Sequence, residues 1–326
     1  MKQLCFIYFL SLISFNIQAQ IIKGRVLDKD THKPIVFANV YFNGTIITGS
    51  TTDSLGYFNL KQQNNNHIPF YVSYMGYKTQ SIKNHSADKN LTIYLKPKSF
   101  KLQSVELNYS KSYRRKKERI FKREFLGTTS LAHYCTIENI NQIRLIFSKD
   151  KKTLYGYSNK PIVINNRYLG YKIKYYLNQF YYRRDTVFFQ GSYYFKESKI
   201  TDSIALKKIK KHRKSVYLGS KMHFIRALYN NRLKEERYTV LEGNRLKFVA
   251  DSVLNKKHNN YIKIKDFLII YFRDDDNAVT KLYQLTDSIY ISKNGYYSPY
   301  GILWKGYMGN QRIPELLPFD YKPDKN

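Results

Sequence analysis

The sequence predicts a mainly β protein, in which a small N-terminal β-sandwich is followed by a second β-rich domain with a few helices. The first reason is that apolar and polar residues alternate with period two between residues 21 and 95, in short runs separated by Asn, Asp, Gly and Pro. The second is that this alternation returns after residue 128, interrupted by a segment of helical periodicity. The third is that 43% of the 326 residues are hydrophobic, enough for a packed core in a chain with the length of about two domains.

Residues 1–20 have the features of an export signal. Lys2 gives a short positive start, an apolar run extends from Leu4 to Phe15, and a polar patch containing Ala19 follows. The run is too short to span a bilayer, so we predict a signal peptide cleaved beside Ala19 or Gln20, with a membrane anchor as the alternative. Export places the protein in the periplasm or at the outer membrane of the cell envelope, and no later segment predicts a transmembrane helix.

The two cysteines predict no disulfide. Cys5 lies in the predicted signal ahead of most of its apolar run, where it is misplaced for a lipid anchor, so cleavage leaves only Cys135. Cys135 stands in the alternating stretch LAHYCTIEN, and we interpret it as a buried core thiol, the alternative being a nucleophile. The fold is therefore expected to depend on its core and not on a bridge.

The formal net charge of +32 indicates polyanionic neighbours, such as nucleic acid, anionic lipid or acidic glycans. A genome rich in A and T would also favour Lys and the 32 Tyr through its codons, but it does not account for the scarcity of Asp and Glu. We therefore predict a real basic surface. The export signal excludes a nucleic-acid partner.

The first domain is predicted strand by strand. IIKGRVLD forms the first strand, and Asn43-Gly44 forms a tight turn because both residues tolerate positive φ. In the turn TTDSLGYF, Asp53 can accept backbone N–H bonds and Gly56 can adopt a left-handed conformation. IPFYVSYMGYK and LTIYLKP supply two later strands. The strand before Asn43 has four alternating residues on one face: Val36, Ala38, Val40 and Phe42.

Residues 21–97 resemble the carboxypeptidase regulatory-like domain, a transthyretin-like seven-stranded β-sandwich common in exported proteins of Bacteroidota. The resemblance implies an accessory module that does no peptide chemistry itself. It rests on Gly24, the turn at Pro34, Ala38-x-Val40, Asp53-x-x-Gly56-x-Phe58 and Gly76-Tyr77.

Residues 98–127 are predicted to be a linker and a basic helix. Leu102 to Leu107 alternates and can pair with the sandwich, and Gly127 suits a helix C-cap. The helix KSYRRKKERIFKREFLG is the best candidate for contact with a polyanion or a membrane surface, the alternative being a solvated helix face. Its sparse apolar stripe consists of Tyr113, Ile120, Phe121 and Phe125.

Residues 128–326 are predicted to form a β-rich domain of unknown function. Ser220 is a good N-cap for a helix with Met222, Ile225 and Leu228 at helical spacing. The pieces FLGTTSLAHYCTIEN, LGYKIKYYLNQF, YLGSKMHFIRALYNN and GYYSPYGILWKGYMGNQRIPELLPFDY resemble an uncharacterised extension that follows the regulatory-like domain in many Bacteroidota exported proteins. That resemblance implies architecture but no activity. A half-exposed antiparallel sheet is predicted in this region, with Lys172 and Lys174 on one face and the other face formed by Leu169, Tyr171, Ile173, Tyr175 and Leu177.

No catalytic, cofactor-binding or metal site is predicted. None of the seven His stands in H-E-x-x-H or is followed by Glu at the third position, the zinc pair of metallocarboxypeptidases, so the family name does not imply that activity. G-x-S-x-G, Walker A and G-x-G-x-x-G motifs are also absent from the sequence. A Ca²⁺ site at Asp28, Asp30 and Asp53 matches no known loop spacing.

Weaker candidates for chemistry remain outside any motif. Asp274–Asp276 could bind a cation or act as acid and base, but their place between two apolar strands favours a hairpin loop. His223 lies in the apolar helix pattern, which favours a packed histidine over a catalytic one. A hydrolase would require these groups and Cys135 to converge in one pocket. A cluster of aromatic residues is predicted to be exposed and could form a binding surface. The alternative is that the cluster is ordinary β structure in a Tyr-rich chain. Its members are Tyr296, Tyr297, Tyr300 and Trp304.

The sequence therefore predicts a non-enzymatic, exported cell-envelope protein with a binding or structural role. Its expected partner is an envelope protein or an anionic surface glycan or lipid. The alternatives are an envelope hydrolase of unfamiliar type and an accessory component of an outer-membrane uptake system. A transporter barrel itself is disfavoured, because the outward strand positions carry Lys.

Overall fold

The fold is mainly β, as the sequence predicts. The predicted signal peptide, the Asn43-Gly44 turn and the segment Leu102 to Leu107 lie outside the described residues. Within the described residues, no helix has the length and apolar character needed to cross a membrane. The computed structural model describes residues 21–42, 49–61, 69–74, 76–82, 90–97, 110–184, 186–243, 247–248, 261–298 and 301–324.

The N-terminal unit is a sandwich of seven strands, which confirms the predicted architecture. One sheet has the order β4-β1-β7, with β1 and β7 parallel, and the other has the antiparallel order β3-β2-β5-β6. Apolar side chains from both sheets form one core. The strands are β1 (Ile21–Asp28), β2 (Asn39–Phe42), β3 (Ser50–Thr51), β4 (Tyr57–Lys61), β5 (Phe70–Ser73), β6 (Gln80–Ile82) and β7 (Leu91–Leu95).

Of two predictions for this unit, the turn at Asp53 is confirmed and the placement of Val36 is wrong. Asp53 does build the predicted turn, because its Oδ1 accepts the N–H groups of Leu55 at 2.9 Å and Tyr57 at 2.8 Å. The placement of Val36 on the β2 face is wrong. A turn with Phe37 at φ 58° precedes β2 and changes the alternation, so that Ile35 is buried at 4% exposure and Val36 is not.

The second unit packs one helix against a six-stranded antiparallel sheet. Strand order is β8-β11-β12-β10-β9, and β13 pairs along β12. The predicted alternation is confirmed: the odd residues from Tyr171 to Leu177 are buried, and Lys172 and Lys174 are partly exposed. The elements are α1 (Lys111–Leu126), β8 (Cys135–Ile137), β9 (Arg144–Phe147), β10 (Thr153–Tyr157), β11 (Ile162–Asn166), β12 (Tyr171–Arg183) and β13 (Thr186–Glu197), with 3-10 turns at Ser130–Tyr134 and Ile140–Gln142.

Helix α1 is fixed to this sheet by the stripe that the sequence indicates. Phe121 and Phe125 are fully buried, and their rings contact Phe180 and Tyr175 of β12 at centroid distances of 4.7 and 5.2 Å. Gly127 ends the helix at φ 92°, and its N–H donates to the Arg123 carbonyl. The predicted C-cap is therefore confirmed.

The third unit is a five-stranded sheet of order β15-β14-β17-β18-β20, and two helices precede its first strand in the chain. Ser220 caps α3 as predicted, accepting the N–H of His223 at 3.1 Å. The C-terminal segment after Asn310, which we call the tail, contains a 3-10 turn at Ile313–Glu315. The elements are α2 (Ser203–Tyr217), α3 (Lys221–Tyr229), β14 (Tyr238–Glu242), β15 (Lys247–Phe248), β16 (Tyr261–Ile262), β17 (Phe267–Phe272), β18 (Asp275–Gln284), β19 (Ile289–Tyr290), β20 (Ile302–Gly306) and α4 (Tyr307–Asn310); β16 and β19 pair separately.

The sandwich is packed against the second unit through tyrosines. In β2, Val40 and Phe42 enter the sandwich core, and Tyr41 points from the opposite face toward β12 and β13. Tyr41 is 3% exposed, its hydroxyl lies 2.7 Å from Ser192 Oγ, and its ring lies 5.4 Å from Tyr176 and 5.2 Å from Tyr194. The sandwich is thus held against the second unit by a buried polar contact inside an aromatic cluster.

Candidate binding surface and cavity

Cys135 lies on β8 in the core of the second unit. It is 7% exposed, and burial raises the pKa of its thiol to about 12. A nucleophilic cysteine needs a thiolate, which this environment disfavours at neutral pH. The geometry matches the interpretation of Cys135 as a core thiol.

His223 is enclosed at the start of α3, with 2% exposure. Its Nδ1 accepts the N–H of Gly219 at 3.1 Å and lies 2.9 Å from the Tyr238 hydroxyl, and its Nε2 lies 3.0 Å from Glu236 Oε2. Burial lowers the pKa of the imidazole, so the neutral ring donates from Nε2 to Glu236. Both nitrogens are engaged in joining α3 to the segment that enters β14.

The acidic run lies at the hairpin between β17 and β18, with Asp274 in the turn and Asp275 and Asp276 as the first residues of β18. Arg273 and Asp274 have φ of 59° and 52°, the two central residues of a tight turn. Asp274 accepts from the Thr239 hydroxyl at 2.9 Å, and Asp275 accepts the N–H of Asn277 at 2.8 Å. Asp274 therefore attaches the turn to β14, and Asp275 stabilises the start of β18.

Neither of the two cavities described below brings these candidates for a hydrolase together. Asp275 lines one of the two cavities described below, and Cys135 and His223 line neither. Within the described residues there is also no group of three His, Cys, Asp or Glu placed to hold a metal ion. At the suggested Ca²⁺ site, Asp28 accepts the N–H groups of Asp30 and Thr31, and Asp53 is engaged in its own turn.

The outer face of α1 is a continuous basic surface. Its two acidic residues lie toward the protein, where Glu118 pairs with Arg114 and buried Glu124 pairs with Arg123 and Arg312. Seven residues of the helix are exposed, and all but Ser112 are basic. We call this surface the α1 basic face; it consists of Lys111, Arg115, Lys116, Arg119, Lys122 and Arg123.

Helix α2 presents a second group of lysines. Its inner side is anchored by His212, whose ring stacks on Tyr168 at 3.8 Å, and by Arg213, whose guanidinium lies 4.0 Å from the centre of the Tyr171 ring. The outer side is exposed and carries Ile204, Leu206, Lys207, Lys208, Lys210 and Lys211.

A cavity of about 100 Å³ lies where the start of α3 meets the tail and β13. Its charged residues are Lys221, Glu315 and Arg312, and Arg312 is already paired with Glu124. The Lys221 Nζ donates to the Gln311 carbonyl at 3.1 Å. Its walls are mostly apolar and aromatic. The lining consists of Tyr193, Ser220, Lys221, Met222, Gly295, Tyr297, Gln311, Arg312, Glu315, Leu316, Leu317 and Phe319.

The charges of this cavity are perturbed by burial. Loss of hydration lowers the pKa of Lys221 to about 8, and the negative charge of Glu315 partly opposes that shift. Burial raises the pKa of Glu315, opposed by hydrogen bonds from the Thr129 hydroxyl and from the Arg312 N–H at 2.9 Å. A cavity with convergent charges of shifted pKa is a candidate binding site.

A second cavity of about 290 Å³ lies between the end of α2 and the β17–β18 turn. Arg273, Asp275 and Asn277 form its polar side, and Phe272 and Tyr307 contribute aromatic rings. The charged groups here face solvent at the tip of the hairpin. The smaller cavity has the more enclosed charges.

The aromatic cluster predicted near the C-terminus is only partly a surface. Tyr296 is buried at 8% exposure, with its ring 5.7 Å from Phe319, so its exposed appearance in the sequence is wrong. Tyr297 and Trp304 are partly buried and lie 5.5 Å apart, and Tyr300 lies outside the described residues. These rings form core and cavity wall.

Sequence reasoning found the α1 basic face but missed the cavity. Lys221 and Glu315 belong to segments far apart in the chain and to no motif. Only the packing of the tail against α3 brings them to one place. The sequence shows Lys221 directly after the Ser220 N-cap of an apolar helix, but this pattern does not indicate that a carboxylate from another segment lies nearby.

Comparison with known families supports the resemblance drawn for the first domain. Residues 22–107 match the family profile described as the CarboxypepD_reg-like domain. That family suggests a non-catalytic regulatory or binding domain. The matched residues make up less than half of the chain. No curated protein matches the chain.

Proposed function

We propose that this chain, with its CarboxypepD_reg-like domain, is an exported, non-enzymatic protein of the cell envelope that binds an anionic envelope surface. Its place is the periplasm or the inner side of the outer membrane. Its source is a member of Bacteroidota, and its β-rich second part is the extension that follows such domains in exported proteins there. The ligand is the anionic lipid or glycan of that envelope.

The α1 basic face is the observation that carries this proposal. Phe121 and Phe125 fix the helix to the sheet, so the helix keeps its exposed basic residues on the side facing solvent. Each Lys or Arg near an anionic membrane surface contributes about 1 kcal/mol, and the attraction falls off within a Debye length of about 8 Å at physiological ionic strength. Six exposed cations without an exposed acid on the same helix therefore favour salt-sensitive binding to a polyanionic surface.

The sandwich supports a binding role by its position. Its contact with the second unit through Tyr41 and Ser192 is buried, so the two parts present their surfaces together. A non-catalytic domain packed in this way acts as a structural support or an additional contact for the envelope. The charge array then provides the attraction.

Co-purification of the tagged mature protein from its native envelope tests the proposal. Anionic lipid or glycan is expected to co-purify in low salt and to be lost in high salt. The charge reversal Arg115→Glu, Arg119→Glu, Lys122→Glu is expected to abolish this recovery. The matched control reverses three exposed lysines of the sandwich, Lys23→Glu, Lys61→Glu and Lys96→Glu, and should retain it.

Two results would contradict the proposal. One is recovery of a single protein partner that survives high salt, which would indicate a specific apolar interface. The other is equal loss of lipid and glycan in both triple variants, which would show that net charge matters and the α1 basic face does not.

A further inference from the structure

Lys221 and Glu315 line the same cavity as opposite charges that are not paired with each other. Lys221 is the first residue of α3, and Glu315 ends the 3-10 turn of the tail. The charge of each group shifts the pKa of the other, yet the two described side chains form no ion pair within 4.0 Å. An ammonium and a carboxylate thus lie on the walls of one small cavity, more than 4.0 Å apart.

Both groups retain hydrogen-bonding capacity. An ammonium has three donors, and Lys221 uses one of them on the Gln311 carbonyl. The two oxygens of Glu315 accept from the Thr129 hydroxyl and the Arg312 N–H, and each oxygen has a second lone pair. A bound molecule can therefore accept from Lys221 and donate to Glu315 without breaking the bonds that position them.

The size and walls of the cavity restrict what such a molecule can be. A volume of about 100 Å³ accommodates several waters or one molecule of a few heavy atoms, well below the roughly 300–1,000 Å³ of sites for larger ligands. Phosphate or sulfate is disfavoured, because its two negative charges would lie beside the Glu315 carboxylate, and the nearby Arg312 is already paired with Glu124. Tyr193, Met222 and Phe319 supply apolar wall for a small hydrocarbon group.

We propose that this cavity binds a small zwitterion, a free α-amino acid of the size of glycine or alanine. The carboxylate of the ligand accepts from Lys221, and its ammonium donates to Glu315. The apolar wall holds the methyl group of alanine. This site is separate from the α1 basic face, so either can fail without the other.

The electrostatics agree with this ligand. The pKa of Lys221 is lowered to about 8 and that of Glu315 is raised, both mainly by burial. A zwitterion brings the complementary charge to each group at once and keeps the net charge of the cavity unchanged. A simple anion satisfies Lys221 but is repelled by Glu315.

Isothermal titration calorimetry on the full mature chain tests the proposal with four probes: alanine, acetate, ethylammonium and inorganic phosphate. Alanine is expected to bind at least about tenfold more tightly than the other three, the effect of one additional charge-assisted hydrogen bond. Lys221→Met is expected to abolish alanine binding. The matched control Lys210→Met, an exposed lysine of α2, should leave it unchanged.

Glu315→Gln separates a ligand contact from a structural effect. The amide keeps a hydrogen-bonding oxygen but lacks the charge, so alanine should bind more weakly and acetate more tightly in the same variant. A merely damaged fold would weaken both. Absence of alanine binding, equal affinity for alanine and acetate, or tighter binding of phosphate would overturn the proposal. Loss of alanine binding with the α1 charge reversal would also contradict it, because that surface lies elsewhere.

Discussion

Asp28 illustrates what single residues contribute to this fold. Its Oδ1 accepts the N–H groups of Asp30 at 2.8 Å and Thr31 at 2.7 Å, and the Tyr77 hydroxyl donates to its Oδ2. The hydrogen bond from Tyr77 is the main reason that the pKa of Asp28 is lowered to about 2. The carboxylate thus ties the end of β1 to the turn that follows β5.

Tyr77→Phe is expected to reduce the acid sensitivity of the protein. The folded pKa of Asp28 lies below its unfolded value of about 3.9, so its stabilisation is complete above that value and is lost as pH falls toward 2. At pH 7 the variant should be less stable than the unmodified protein. Urea unfolding of the full mature chain at pH 7, 4 and 2.5 should show this difference shrinking with decreasing pH.

Tyr57→Phe is the control for this series, because Tyr57 is 50% exposed on the same sandwich. Its effect should be small and independent of pH. A difference between Tyr77→Phe and the unmodified chain that stays constant from pH 7 to 2.5 would show that Asp28 does not titrate in the manner described.

The strands and helices show which local features the sequence determines. The Asp53 turn, the Ser220 cap, the apolar stripe of α1 and the alternation along β12 were predictable because each depends on neighbours a few residues apart. The start of β2 was not, because Phe37 adopts a positive φ that such a residue ordinarily avoids, in a turn whose backbone is hydrogen-bonded to the distant Thr52. Local patterns give the elements, and packing sets their ends.

Gly191→Ala is expected to destabilise the β12–β13 hairpin. A Cβ at this position would lie 2.3 Å from the Tyr176 carbonyl oxygen and 2.4 Å from Tyr175 Cε1, close to the register shift between Leu177 and Gln179. Backbone must move, which costs about 1–3 kcal/mol and exceeds the 0.4–1 kcal/mol that alanine gains by restricting the unfolded chain. The measurement is the free energy of unfolding in urea.

Gln190→Ala is the matched control for that substitution, since it changes the adjacent residue of the same strand without adding an atom near β12. It should alter the free energy of unfolding by less than Gly191→Ala does. Equal effects of the two substitutions would mean that the close approach at Gly191 can relax without cost.

At the scale of the whole molecule, the arrangement of the units depends on contacts that no local pattern reveals. Tyr41 and Ser192 are separated by 151 residues, and each reads in the sequence as one more residue of an alternating strand. The cavity at Lys221 depends in the same way on a tail that packs back onto α3. The existence of two β-rich parts was therefore predictable, whereas their contact and the cavity were not.

The Tyr41–Ser192 contact is expected to couple the unfolding of the sandwich to that of the second unit. Tyr41→Phe leaves the fully buried Ser192 hydroxyl without this partner, which should cost about 1–3 kcal/mol. Ser192→Ala should cost a similar amount for the reciprocal reason. The double variant removes both polar groups, so its loss should be clearly smaller than the sum of the two single losses.

Calorimetry and urea unfolding of the four proteins in this cycle measure the coupling directly. Tyr41→Ala also removes the ring packed on Tyr176 and Tyr194, so it should separate one transition into two, with the sandwich unfolding first. Tyr94→Phe, at a 39% exposed tyrosine on the other sheet of the sandwich, should preserve the single transition. Additive losses in the cycle, together with an unchanged transition in Tyr41→Ala, would mean that the two units are held together by other contacts. A rigid pairing of sandwich and extension, which the proposed envelope binding uses, requires the coupled result.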